Sequence, residues 1–152
     1  MVHRSLPIFS VLLLCTIYTT QQSPFGTVSV TPSVMSEVAK NSISSHVLDI
    51  ANGHPAAGVE VVAYQLETNG SWRLLSKIQT DSNGRVPIVH PNDELQVATY
   101  KLRFETKSYF EALGQETFYP YAEVVFEVTN ASIHYHVPLT LSNYGYSTYK
   151  GQ

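Results

Sequence analysis

From residue 44 onward, apolar and polar positions alternate in short runs, and this period-two rhythm predicts strands. His46–Ile50 opens the series, and Val59–Leu66 (VEVVAYQL) alternates next. A turn, ETNGS, carries Asn-Gly, a strong short-range hairpin signal, and Trp72–Ile78 returns as the partner strand. A second Asn-Gly turn, in TDSNGRV, leads into a strand over Arg85–Ile88. Tyr100–Glu105 (YKLRFE) and Val124–Val128 follow the same rhythm, and Ile133–Leu141 and Gly145–Gly151 complete the set. One stretch, TKSYFEALGQ, reads as a helix, with Tyr109, Phe110 and Leu113 on one face and Gly114 as its stop. Short strands at close intervals with one brief helix describe an all-β sandwich or barrel. No repeat of solenoid period is present.

Composition agrees. Hydrophobic residues make up 43% of 152 positions, enough to core one domain and too short a chain for two. The net charge of −3, without a basic block, gives no reason to expect nucleic acid or an acidic membrane as partner.

Before residue 44 the pattern changes. Arg4 precedes an apolar run from Leu6 to Ile17, followed by small and polar residues. That is the layout of a secretory signal over residues 1–22, and the run is short for a membrane span. Residues 23–43, rich in Ser, Thr, Gln and Pro, read as a linker, which leaves 44–152 as the domain. The expected location is the secretory pathway or outside the cell; it is peroxisomal or cytoplasmic if the leader is no signal. Asn69-Gly70-Ser71 and Asn130-Ala131-Ser132 would accept glycans in that pathway, and both read equally as turns. The single cysteine, Cys15, allows neither an internal disulfide nor a thiol-rich zinc site.

Candidate chemistry rests on histidine and arginine. His3 lies in the leader, while His54 (NGHPAAG) and His90 (VHPND) sit in Pro- and Gly-bearing loops and read as solvated surface residues. His46, His134 and His136 fall on predicted strands, and the spacing of the last two puts both on one face. A His-x-His pair can grip a metal, but no third ligand stands at a matching spacing, and none is expected. The plainer reading is that these histidines fill polar strand faces. Arg85 enters its strand from a Gly-bearing turn, where a planar guanidinium could be held for paired contacts. An ordinary exposed hairpin arginine is the commoner case.

The segments SSHVLDIANGHPAAGVEV, TDSNGRV, YKLRFET, FYPYAEVVFEV and HYHVPLTLSNYGYSTYKG together resemble the transthyretin-like family, in order and spacing, from Ser44 to the end. Within it they are similar to the branch of hydrolases that open the ring of 5-hydroxyisourate. The family also holds a hormone-carrying branch, so fold alone does not decide function. The hydrolase branch carries histidine, arginine and histidine at positions matched by His46, Arg85 and His136, which the carriers replace. It ends in Tyr-Arg-Gly-Ser, where this chain has Tyr149, Lys150, Gly151 and Gln152. Lysine keeps the charge and loses the planar fork.

The resemblance implies two four-stranded sheets per subunit, a homotetramer built as a dimer of dimers, and tail residues that help wall the substrate site. It implies hydrolysis in urate degradation to 2-oxo-4-hydroxy-4-carboxy-5-ureidoimidazoline, without a cofactor. His46 and His136 would position and deprotonate the water, Arg85 would bind the substrate and favour neutral imidazoles, and Tyr149 and Lys150 would contact substrate. The alternative reading is a secreted carrier of a small aromatic ligand without catalysis, and a third is a former enzyme turned structural domain. Lys150-Gly151-Gln152 is not a peroxisomal tripeptide.

Overall fold

The computed structural model describes residues 41–152; the expected signal over 1–22, with His3 and Cys15, and the linker through residue 40 lie outside the described residues. The described elements are β1 (Ile43–Asp49), β2 (His54–Pro55), β3 (Glu60–Leu66), β4 (Trp72–Gln79), β5 (Arg85–Val86), β6 (Ala98–Phe104), α1 (Thr106–Ala112), β7 (Ala122–Val128), β8 (Tyr135–Ser142) and β9 (Gly145–Thr148). They form two sheets. One runs β4-β3-β6-β7, antiparallel throughout.

The other has five strands where four are expected: β2-β1-β8-β9, with β5 also on β1. The extra member is two residues long and shares one edge of β1 with β2. Ser45 and His46 pair with β5, and Leu48 and Asp49 pair with β2. Two residues carry no periodicity, so β2 reads from sequence as loop. Strand β5 stops at Val86 because Pro87 has no N–H for the ladder.

The central pairing of this sheet joins its most distant strands. Strands β1 and β8 run parallel, with Ser44 opposite His136 and His46 opposite Pro138. Burial along β1 alternates through its whole length. Ile43, Ser45, Val47 and Asp49 turn to the core; Ser44, His46 and Leu48 turn to the other face. Between the sheets, Val47, Leu102, Phe104, Phe110 and Leu139 are fully buried. Each side chain of that size stabilises the fold by about 1.5–3 kcal/mol. Buried Asp49 accepts hydrogen bonds from the Asn52 amide and side chain and from the Tyr109 hydroxyl. Burial pushes its carboxyl up, and those donors more than offset this, holding it below the usual range.

Helix α1 buries Thr106, Tyr109 and Phe110. Leu113, expected on the same face, falls one residue past the helix and is 45% exposed. The chain reverses at Gly114 (φ +69°), whose amide bonds the Glu111 carbonyl, so the apolar stripe ends a turn early. No helix of the described residues is long and apolar enough to cross a membrane.

His90 departs from expectation in burial. It is 3% exposed, although its Pro-bearing loop reads as solvated. The Ile43 amide donates to its Nε2 (3.0 Å), so the proton sits on Nδ1, which donates to the Asp93 carbonyl (2.8 Å). A loop histidine here acts as a clamp between the loop and β1.

Candidate active site

The outer face of the β1 sheet gathers the three residues singled out from sequence. Arg85 stands opposite His46 across the β5–β1 pair, and His46 stands opposite Pro138 across β1–β8. One step along, Ser44 stands opposite His136, so the second imidazole lies diagonal to the first on the same face.

The turn before β5 explains how Arg85 is held. The Asp81 carboxylate accepts from the amides of Asn83 and Arg85, both at 2.8 Å. Gly84 has φ +73°, and a Cβ there would lie 2.4 Å from the Val47 carbonyl. Only glycine allows the turn to pack this closely on β1, and Gly84 in turn accepts a hydrogen bond from the Val47 amide (2.8 Å). The Asn-Gly turn therefore fixes the arginine's strand against the histidine's strand.

His46 has one nitrogen with nothing to bind. Its Nε2 is buried from solvent and without a hydrogen-bond partner in the described residues. Such orphaned buried atoms are rare in native structures, and their partners are water, an ion or a reacting group. Burial lowers the pKa of His46, and the Arg85 charge lowers it further; a backbone hydrogen bond at Asn83 and the Asp81 charge oppose this in part. His136 is shifted the same way, first by burial, then by His134, Arg85 and His46. Both rings are neutral near pH 7, which leaves each with a lone pair available as a base.

His136 is held by its other nitrogen. Ser44 Oγ lies 2.8 Å from His136 Nδ1 and 2.8 Å from His134 Nε2, while Ser42 Oγ lies 3.1 Å from His134 Nδ1. His134 lies just before β8 rather than on it, yet it still reaches the same side as His136. Among the described residues no group of three or more His, Cys, Asp or Glu side chains is disposed to hold a metal ion.

The tail closes one side. Past β9 the Gly151 amide bonds the His136 carbonyl (2.9 Å), continuing the β8–β9 register beyond Thr148 opposite Leu139. That register sets Tyr149 beside Pro138, next in the row after Arg85 and His46. Lys150 goes the other way: its ammonium lies 5.7 Å over the Tyr135 ring, on the opposite face of the sheet. The structure thus gathers His46, Arg85 and His136 on one face, with Tyr149 in the same register row; the Lys150 ammonium stacks on Tyr135, and Lys150 shares a cleft with His136 and Tyr149. A cleft of about 280 Å³ between β7 and the tail is lined by Val124, Phe126, Tyr135, His136, Tyr149 and Lys150.

Sequence reasoning passed over Ser44, Asp81 and the Ser44–His134 contact. Asp81 had a readable signal, since Asp two residues before Asn-Gly favours a side-chain-capped turn. Ser44 had none, because its partners lie about ninety positions away on a parallel strand.

A family model described as the HIUase/Transthyretin family matches residues 43–151. A probable 5-hydroxyisourate hydrolase of Caenorhabditis elegans is 50% identical over 116 residues, 76% of this chain and 85% of that protein. The solved structure of Klebsiella pneumoniae 5-hydroxyisourate hydrolase superposes with TM-score 0.65 at 30% identity, covering 74% of this chain and 99% of that one. Transthyretin from Sparus aurata superposes with TM-score 0.69 at 27% identity, covering 74% and 97%. Backbone likeness alone does not separate the two branches; the side chains on the outer face must.

Proposed function

The chain belongs to the HIUase/Transthyretin family, and from that premise we propose that its function is the hydrolytic ring opening of 5-hydroxyisourate in urate degradation, performed on the face shared by His46, Arg85 and His136. The observation that carries the assignment of the site is the unpartnered, buried Nε2 of His46, set between an arginine and a second neutral imidazole. An apolar ligand channel has no use for that grouping, whereas attack of water on an amide-like carbonyl does. The reaction needs a base for the water's proton and a cation for the oxygen that gains charge.

In this scheme the two imidazoles hold the water and accept its proton. Arg85 binds the substrate's carbonyl and ring-nitrogen edge and stabilises the developing oxyanion. Its charge adds to burial in favouring the neutral form of both rings. Tyr149 covers the substrate from the tail side. All of these groups come from the chain itself, and the reaction calls for no cofactor.

Assembly into a homotetramer belongs to the same proposal. Strands β7 and β9 are the outer members of their sheets in the described residues, and Val125 on β7 is 55% exposed. Open edges of this kind pair readily with a second copy. The carrier reading rests on the likeness to a transthyretin fold and would require a channel lined without these polar groups.

The test uses purified protein and 5-hydroxyisourate generated from urate in the cuvette. The proposal expects the intermediate's absorbance to decay faster than the spontaneous rate. Decay at the spontaneous rate, with tight binding of an iodinated phenol, would select the carrier.

A further inference from the structure

The hydroxyl of Ser44 stands between two imidazoles, 2.8 Å from Nδ1 of His136 and 2.8 Å from Nε2 of His134. A hydroxyl has one proton to give and lone pairs to receive. It therefore donates to one ring and accepts from the other, and the tautomers of the two rings are locked to each other. If His136 carries its proton on Nδ1, it donates to Ser44, and Ser44 donates to His134 Nε2. His134 then holds its own proton on Nδ1, which faces Ser42 Oγ at 3.1 Å. Reversing every bond gives the other alignment, with His136 protonated on Nε2.

We propose that Ser44 and His134 form a proton wire that presents a basic Nε2 on His136 to the site and carries the proton it gains out to solvent. The inference rests on the hydrolase reading for its chemistry. In the step, the water oxygen bonds the substrate's carbonyl carbon, the carbonyl π pair moves onto its oxygen beside Arg85, and the water's O–H bond breaks as its proton bonds His136 Nε2. The Nδ1 proton of His136 passes to Ser44 Oγ as the Ser44 proton passes to His134 Nε2. His136 and Ser44 end neutral, and the positive charge resides on His134. His134 is exposed, so it can release that proton to water. An imidazolium at His136 is disfavoured first by burial, then by His134 and the Arg85 charge. Moving the charge to exposed His134 relieves the burial. Ser44 and His134 are thus positioning and relay residues; they lie on the same face, beside His136 and one row along from Arg85, His46 and Tyr149.

The groups facing His136 are His46 and Ser44 from β1, Arg85 from β5, His134 just before β8, Gly151 from the tail, and Glu127 of β7 with Tyr149 and Lys150 of the tail, which line a cleft with it. The experiment compares the intact protein with Ser44→Ala, Ser44→Thr, His134→Gln and the Ser44→Ala/His134→Gln double variant. Two readouts are used: kcat and KM across pH, and ¹⁵N NMR of the imidazole rings.

The wire predicts that Ser44→Ala and His134→Gln each lower kcat by about tenfold or more, with KM within about threefold, because base catalysis is worth roughly 10²–10⁴. The double variant should be no worse than the poorer single one, and Ser44→Thr should recover most of the loss. In the NMR titration of the intact protein, protonating His134 should move the His136 ring signals, and Ser44→Ala should abolish that coupling. Unchanged kcat in Ser44→Ala, multiplying losses in the double variant, or independent titration of the two rings in the intact protein would each overturn the wire. If the unmodified protein does not consume 5-hydroxyisourate, the hydrolase reading falls while the NMR coupling still decides the wire.

Discussion

Gly151 packs against the His136 ring so closely that a Cβ on it would lie 2.5 Å from Cδ2 and 3.1 Å from Cγ. Its amide at the same time bonds the His136 carbonyl. The tail is therefore moulded onto the histidine at both main chain and side chain, and no larger residue fits without moving one of them.

Gly151→Ala should accordingly reduce turnover, because either the ring rotates off Ser44 or the tail leaves β8. We expect a loss of about tenfold or more, in line with the sensitivity of reaction rates to small misplacements of catalytic groups. Thermal unfolding should shift little, since the contact lies outside the core. Limited proteolysis of the tail distinguishes the two routes, and wild-type turnover would show that the packing has no functional weight.

The pH dependence carries a definite sign. Burial and then the neighbouring positive charges hold His46 and His136 below the ordinary histidine value of 6.5. The reactive form is neutral, so kcat/KM should fall as the rings gain protons, with the acid limb centred below the ordinary histidine value. Arg85→Gln should lower the rate overall and also move that acid limb toward higher pH, because the like-charge repulsion is gone. A limb that stays in place would mean the guanidinium does not act on the imidazoles.

His90 gives a prediction about stability separate from catalysis. His90→Ala leaves the Ile43 amide, at a residue with no exposure, without its acceptor. The expected cost is about 1–3 kcal/mol in denaturant unfolding, the usual penalty of an orphaned buried donor. A midpoint equal to that of the unaltered chain would show that another acceptor takes over.

The sequence was informative where structure is local. Alternation located the longer strands, and the two Asn-Gly turns marked the β3–β4 connection and the entry to β5. It was uninformative where structure depends on distant pairing. The parallel β1–β8 contact brings Ser44 to His136 across a separation of 92 positions, with no short-range trace. Burial of His90 was hidden for the same reason, since its acceptor nitrogen serves Ile43, 47 positions earlier. For the site, residue types could be listed but not placed. Only the register shows that Arg85 and His46 are paired while the Lys150 ammonium stacks on Tyr135 across the sheet.

The most direct measurement is the turnover of His136→Asn on freshly generated 5-hydroxyisourate, alongside its melting temperature and subunit assembly. The substitution nearly preserves shape and removes the base. Our account predicts a fall of about 10²–10⁴ in kcat with folding and assembly retained; turnover close to that of the unaltered protein would contradict it.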